Sequence, residues 1–289
     1  MIKTSVLVEG PRVATRMGIR HGLRAATGRL RGDKSGRSIT SGAAQHLTPE
    51  RMERTTSKLQ ILYNLAKSTF SKQQIPSQQS VASLLEAMCA VPLEELGMGR
   101  LPDEVGRSSG ESTASGEPEW PGAITYLGVR EEAGLHVGIF CLPANAVLPL
   151  HDHPGMTVLS RLLYGKMHMR AYQWADEGRD GNAKLIADGQ LKGSESTSVC
   201  FPNHANIHAF RAITPCAVLD VMSPPYDVDE GRDCTYYREV FPAAVQETDD
   251  GLINANANML VRLEPCNPPR SLYVRHGTYS GVVVEGTEE

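Results

Sequence analysis

From Trp120 to Met222 the sequence is a series of short apolar runs, at 124–129, 135–142, 147–150, 157–164, 166–174, 183–186, 198–201, 207–212 and 216–222, punctuated by glycine and proline. Runs this short suit strands, and the turn residues between them end one strand and start the next. Short strands at even spacing predict an all-β sandwich or barrel, the jelly roll being one such form. Nothing in the spacing suggests parallel βαβ units.

Ahead of the strands the period changes. Leu59, Leu62, Tyr63, Ala66 and Phe70 recur at helical spacing and form one apolar stripe. Thr48-Pro49-Glu50 is the expected start of this helix, because Thr48 can cap and Pro49 suits the first helical position. A second helix fits residues 78–90, with Val81, Leu84, Leu85 and Met88 as its buried face, and Pro92 and Gly97 end it. Such a pair docks on a barrel or covers its mouth. Apolar helix faces exist to be buried, so packing without regulation is the simpler expectation.

Residues 101–119, rich in Ser, Gly, Glu and Pro, read as a linker or exposed loop. Residues 1–47 carry seven arginines and two lysines against Glu9 and Asp33. That composition predicts a disordered basic leader, and it is also the form of a transit peptide that directs import into an organelle. Beyond Arg238 the signal weakens: 240–242, 259–263 and 272–274 are candidate strands that finish or cover a sheet edge. Residues 254–258 read as a loop, and the tail after Tyr279 as mobile. The expected organisation is a leader over 1–47, a helical segment packing on the barrel over 48–100, a linker over 101–119 and a β-domain over 120–289.

Composition narrows the partners. A net charge of −4 gives no general attraction to nucleic acid or an anionic membrane. No apolar run approaches the roughly 20 residues that span a bilayer. Neither partner is expected, and the chain is read as a monomer. The six cysteines, Cys89, Cys141, Cys200, Cys216, Cys234 and Cys266, include no Cys-x-x-Cys pair. In a chain of 289 residues they read as reduced intracellular thiols, which suits the cytoplasm or nucleus.

The chemistry centres on His151-Asp152-His153. On a strand, residues two apart share a face, so His151 and His153 aim at one point and Asp152 points away. Two converging imidazoles suit a first-row metal such as Fe, Zn, Cu or Ni; two histidines meeting by chance in a turn between Pro149 and Pro154 is the bland alternative. Four residues separate His153 from Val158, and six more precede Gly165. That is the spacing of the first cupin motif, with Val158 standing where the motif has its glutamate ligand. A third ligand then comes from elsewhere, and His204 and His208 are the candidates.

Residues 148–160, reading LPLHDHPGMTVLS, closely resemble the plant cysteine oxidase and cysteamine (2-aminoethanethiol) dioxygenase family of thiol dioxygenases. So do Asn206-Ile207-His208-Ala209-Phe210, Leu219-Asp220-Val221, Pro224-Pro225-Tyr226 and Cys234-Thr235-Tyr236-Tyr237-Arg238, in order over about 122–240. The resemblance implies a cupin-type double-stranded β-helix, here with an N-terminal helical pair. It also implies an Fe(II) site of His151, His153 and His208, and an enzyme that adds both atoms of O2 to a thiol sulfur. By the plant branch, the substrate is a protein or peptide with an N-terminal cysteine, so that the enzyme senses oxygen through the N-degron pathway in a hypoxia response. One departure stands out: the family's glycine pair before Asn206-Ile207-His208 reads His204-Ala205 here, which keeps His204 as a rival ligand.

Three neutral imidazoles leave a divalent ion its full charge, whereas a carboxylate ligand would cancel one unit. The more positive site favours an anionic thiolate, since a coordinated thiol is deprotonated outright. Val158 in the glutamate place therefore suits a thiol substrate. The same ligands with water in the fourth position also make a zinc hydrolytic site, and imidazole suits both metals. The choice of iron rests on the resemblance.

Asp220 is the lone carboxylate in the apolar run 216–222. Buried, it needs a partner, and either orients a ligand histidine or receives the substrate ammonium; on an edge strand it would simply face solvent. By the resemblance Asp220 and Tyr226 belong to the active pocket, where the phenol donates to a bound oxygen species or merely caps a core. Cys234 and Tyr236, two apart, match positions that crosslink in animal members; the bland reading is an ordinary buried thiol. His136 and His168 read as core or spare histidines. A clamp for the carboxylate of free cysteine would be an arginine. Arg161 and Arg211 fall at odd offsets from the histidines and face away, while Arg170 and Arg238 are not placed by the sequence. Three functions remain in play: the iron thiol dioxygenase, acting on an N-terminal cysteine, free cysteine or cysteamine; another metal-dependent enzyme on the same barrel; and a non-catalytic cupin that binds a small ligand.

Overall fold

The computed structural model describes residues 56–71, 75–98, 123–175, 181–194, 196–241 and 259–286. The leader over 1–47, the helix start at Thr48, the linker over 101–119 and the loop over 254–258 lie outside them.

Helix α1 spans Lys58–Phe70 and α2 spans Gln78–Ala90. The second agrees with the sequence reading. The first begins at Ser57 rather than Thr48, and the partners of its first-turn N–H groups explain why. Gln60 N donates to the Ser57 hydroxyl at 3.1 Å, while Lys58 N and Leu59 N donate to the Glu95 carboxylate at 3.1 and 2.8 Å. A helix start leaves these groups without intrahelical partners. Here a residue from beyond α2 supplies two of them.

Twelve strands follow: β1 Ile124–Glu132, β2 Leu135–Leu142, β3 Val147–Asp152, β4 Thr157–Tyr164, β5 Lys166–Trp174, β6 Asn182–Lys192, β7 Thr197–Cys200, β8 Ile207–Ala212, β9 Cys216–Ser223, β10 Tyr236–Val240, β11 Leu260–Cys266 and β12 Val274–His276. They form two sheets. The first has the order β12-β1-β2-β9-β4-β7; the second runs β10-β11-β6-β5-β8-β3 and closes on itself where Tyr236 pairs with His151. This is the cupin-type double-stranded β-helix. Gly165, between β4 and β5, sits at φ +85°, where any Cβ would collide with the Pro215 carbonyl.

The strand alternation sorts side chains between two cores. One face of the first sheet, with Val137, Ile139, Leu159, Leu163, Leu219 and Val221, packs on Leu59, Leu62, Tyr63, Leu84 and Met88 of the helices. The helical pair thus docks on the outside of the sheet, not over a mouth. The opposite face, with Leu142, Leu162 and Val218, meets Met167, Met169 and Phe210 of the second sheet. Strand β9 is central, between β2 and β4, and buried along its whole length. That removes the edge-strand reading of Asp220.

Residues 279–286 of the C-terminal tail are held against the helices, where a mobile tail was expected. Tyr279 OH and Val282 N donate to the Glu95 carbonyl at 3.1 and 2.7 Å, and Glu285 N donates to Gln60 at 2.8 Å. Val284 is buried among the helix residues. One glutamate therefore caps α1 with its side chain and holds the tail with its backbone.

Candidate metal centre

His151 and His208 face each other across the β3–β8 ladder, and His153 follows at the end of β3. Their ligating nitrogens all lie within 4.8 Å of one another. Asp152 points the other way, as strand alternation requires. Its carboxylate accepts from Thr235 N at 2.8 Å and from the Tyr237 hydroxyl at 3.3 Å, and its own N–H donates to the Thr235 carbonyl. The residue between the two histidines thus stitches β3 to the 235–237 segment and sets the phase that turns both imidazoles inward. Asn206 helps from the other side: His153 N donates to its carbonyl at 2.8 Å, and its amide reaches the His153 carbonyl at 3.3 Å.

Hydrogen bonds set the tautomers. Tyr226 OH donates to the Asp152 carbonyl at 2.8 Å and also lies 2.8 Å from His153 Nδ1. Its single proton serves the carbonyl, so the phenol oxygen accepts Nδ1–H from His153 and leaves the Nε2 lone pair free. His151 Nδ1 is 2.7 Å from the Pro149 carbonyl, which can only accept, so His151 likewise offers Nε2. Burial lowers the basicity of all three imidazoles, and for His153 and His208 the neighbouring rings lower it further. Metal ligation needs the neutral form.

The donor set fits one ion. His153 Nε2 and His208 Nε2 stand 3.0 Å apart. Two nitrogens about 2.0–2.1 Å from one metal, at right angles about it, are separated by about 3 Å. A carbonyl and a phenol behind the ligands complete the arrangement usual for ligating histidines.

His204 is not in this cluster. It bridges back to Phe201 through its backbone, and burial pushes its pKa down to about 3. Val158 lies on the wall of a small cavity with Ser160, Met169, Ala171, Ser198, Val199, Cys200, Ala205 and His208. Asp220 is buried on β9, directly across the ladder from Ser160. Cys234 lies close to both Tyr226 and Tyr236, and burial raises its thiol to about 12. The Tyr236 ring lies 6.1 Å from that of His151. None of the six cysteines forms a disulfide among the described residues.

No arginine lines the cavity among the described residues. Arg161 lies on the far face, donating to the carbonyls of Met88, Val91 and Ser194 at 2.6–2.9 Å. Arg170 pairs with Glu239 at 3.1 Å and Asp188 at 3.5 Å, Arg238 pairs with Glu264, and Arg211 is exposed. His168 meets Asp188. What the sequence reading missed is the supporting set of Asp152, Asn206, Thr235 and Tyr237. The alternation that turns Asp152 and Tyr237 outward was visible, but not that they would meet.

A double-stranded β-helix with three neutral imidazoles turned inward, and no carboxylate among them, defines a cupin with a three-histidine metal site. Residues 90–284 match the PCO_ADO family. The chain is 37% identical over 203 residues to plant cysteine oxidase 1 of Arabidopsis thaliana, covering 67% of this chain and 68% of that one. It is 35% identical over 188 residues to plant cysteine oxidase 2 of the same plant, covering 62% and 65%. To 2-aminoethanethiol dioxygenase of Homo sapiens it is 31% identical over 149 residues, covering 43% and 55%. The matches thus span between about half and two thirds of these relatives' lengths. The chain belongs to the PCO_ADO family, a family of thiol dioxygenases.

Proposed function

We propose that the protein is an Fe(II)-dependent dioxygenase that adds both oxygen atoms of O2 to the sulfur of an N-terminal cysteine, converting the thiolate R–S⁻ to the sulfinate R–SO2⁻. The observation that carries this reading is a three-imidazole site, one of whose histidines, His208, lines a small cavity whose described walls hold no guanidinium. Iron, when bound, supplies the positive charge that keeps the thiol ionised and the redox chemistry through which O2 reacts. His151, His153 and His208 would hold it, and Tyr226 would fix His153 through Nδ1.

The remaining residues sort the substrates. Free cysteine brings a carboxylate into the site, and with no bidentate partner that charge is desolvated without return. A peptide bond brings none. The buried carboxylate of Asp220, directly across the ladder from the cavity residue Ser160, supports recognition of the substrate ammonium. Cysteamine also lacks a carboxylate and satisfies the same walls, so it is the competing substrate. On this reading the protein oxidises exposed N-terminal cysteines in the cytoplasm or nucleus and reports oxygen to the N-degron pathway, unless residues 1–47 direct it to an organelle.

The test is the iron-loaded protein under isotopically labelled O2 with a Cys-initiated peptide, free cysteine and cysteamine in parallel. The expected result is a peptide carrying two labelled oxygens, formed with higher kcat/KM than the sulfinate of free cysteine. Equal or better efficiency on free cysteine would overturn the substrate assignment. No oxygen uptake with any thiol would overturn the activity.

A further inference from the structure

We infer that the cleft between the end of α2 and the β4–β5 turn is a binding site for a small organic monocarboxylate, anchored by Arg161 and walled by apolar side chains. The inference goes beyond the proposed function and does not depend on it.

Strand alternation creates the site. Val158 and Ser160 turn to the small cavity beside His208, while Arg161 turns to the other face of β4 with Leu159 and Leu163, toward the helices. There Arg161 lines a cleft of about 500 Å³ formed by residues 89–94 at the end of α2, residues 163–165 at the β4–β5 turn, and Gly193 and Ser194 after β6. That volume is in the range of sites for small organic molecules.

The charge in the cleft is only partly answered. Arg161 is 6% exposed, and its guanidinium stays protonated with five N–H groups. Nε donates to the Ser194 carbonyl at 2.9 Å. Nη1 uses both its N–H groups on the carbonyls of Met88 and Val91, at 2.6 and 2.8 Å. The two N–H groups of Nη2 have no partner among the described residues. The bonds to the C-terminal end of α2 explain where Arg161 sits, but carbonyls carry no net charge. A helix end supplies about half a unit of negative charge, and among the described residues no carboxylate pairs with Arg161. A buried charge is ordinarily paired. Burial lowers the basicity of this guanidinium, the direction expected where a counter-charge is missing. An anion at Nη2 supplies it.

The lining selects the anion. One cation with two N–H groups left over suits a single carboxylate, whereas a phosphate brings more charge and more acceptor oxygens than these donors serve. Glu94, which is exposed, shares the lining and opposes a second negative charge. Ala90, Pro92, Leu93 and Leu163 offer apolar surface to the rest of the molecule.

The experiment is calorimetric titration of the iron-loaded full chain, kept anaerobic, with hexanoate, 1-hexanol and inorganic phosphate. The expected result is one hexanoate site at least about tenfold tighter than the alcohol, the least that a hydrogen bond to a charged group contributes, and weaker binding of phosphate. Cys89 lines the cleft and Cys266 lies on β11, away from it. Hexanoate is therefore expected to slow alkylation by iodoacetamide at Cys89 and not at Cys266, read by mass spectrometry. Ala90→Trp, which fills the cleft from an exposed position and leaves the Arg161 bonds in place, is expected to abolish hexanoate binding. Should Ala90→Trp fail to fold, Pro92→Trp on the same wall takes its place. No hexanoate binding, or binding that survives the tryptophan variant or leaves the Cys89 rate unchanged, would overturn the site. Equal affinity for 1-hexanol would overturn the part given to Arg161, and phosphate binding as tightly as hexanoate would overturn the ligand class.

Discussion

At the residue scale, two side chains carry consequences that differ in kind. Tyr226 touches His153 Nδ1 and the Asp152 carbonyl with one oxygen. Tyr226→Phe keeps the ring and removes both contacts, so His153 loses the partner that sets its tautomer. The expected outcome is metal affinity weakened by about 10- to 100-fold, as for other partners of ligating histidines, measured by competition with a chelator. Unchanged affinity would mean the phenol is a packing residue. On the proposed reading Asp220 acts through charge. Its carboxyl titrates at about 7 when folded against 3.8 in the open. The folded protein therefore keeps a proton that the unfolded chain has released. That contribution to stability is complete below about pH 4 and is lost as pH rises to 7, and by pH 8 the loss is up to about 4 kcal/mol. Asp220→Asn is expected to melt higher than wild type at pH 8 and nearly level with it at pH 4, while losing most turnover. Equal melting temperatures at both pH values would contradict this. The lone carboxylate in an apolar run was legible in the sequence; Tyr226's hold on His153 was not, because 73 residues separate them.

Elements were legible where one periodicity ran uninterrupted. Helix α2 and strands β2, β4, β5 and β8 begin and end where the apolar pattern does. Strand β6 runs on to Lys192, well past the apolar stretch ending at Ile186, because its second half is partly exposed and held by pairing with β5 rather than by burial. The start of α1 was misread for a related reason. Thr48 and Pro49 make a good local cap signal, but the first turn is satisfied by Glu95, and nothing local to Ser57 reports that. The same glutamate holds the tail, so Glu95 ties three segments. Glu95→Ala is expected to cost about 1–2 kcal/mol of unfolding free energy through the lost cap and to leave kcat unchanged, since the site lies across the sheet. Denaturant unfolding with peptide turnover checks both. A loss of turnover at unchanged stability would place the helical pair in catalysis.

For the whole molecule, the class was legible because strand length, turn spacing and a paired-histidine motif agree, and because the class needs no partner assignment. The order of the sheets was not legible, nor were the docking of the tail and the closure of the second sheet at Tyr236 and His151. These depend on which distant strands meet. The three histidines, Tyr226, Asp220 and the residues that hold them all lie between Ser57 and Glu285. A truncated chain beginning near Thr48 is therefore expected to match the full chain in peptide turnover, and a large loss would assign residues 1–47 a catalytic part.

The central claim is that His151, His153 and His208 together are the metal centre and His204 is not. Iron content measured side by side in His208→Ala and His204→Ala, each after anaerobic loading and desalting, tests it most directly. The expected result is an empty His208→Ala protein and a His204→Ala protein that keeps most of its iron, both folded by circular dichroism. Iron retained by His208→Ala and lost from His204→Ala would contradict the account.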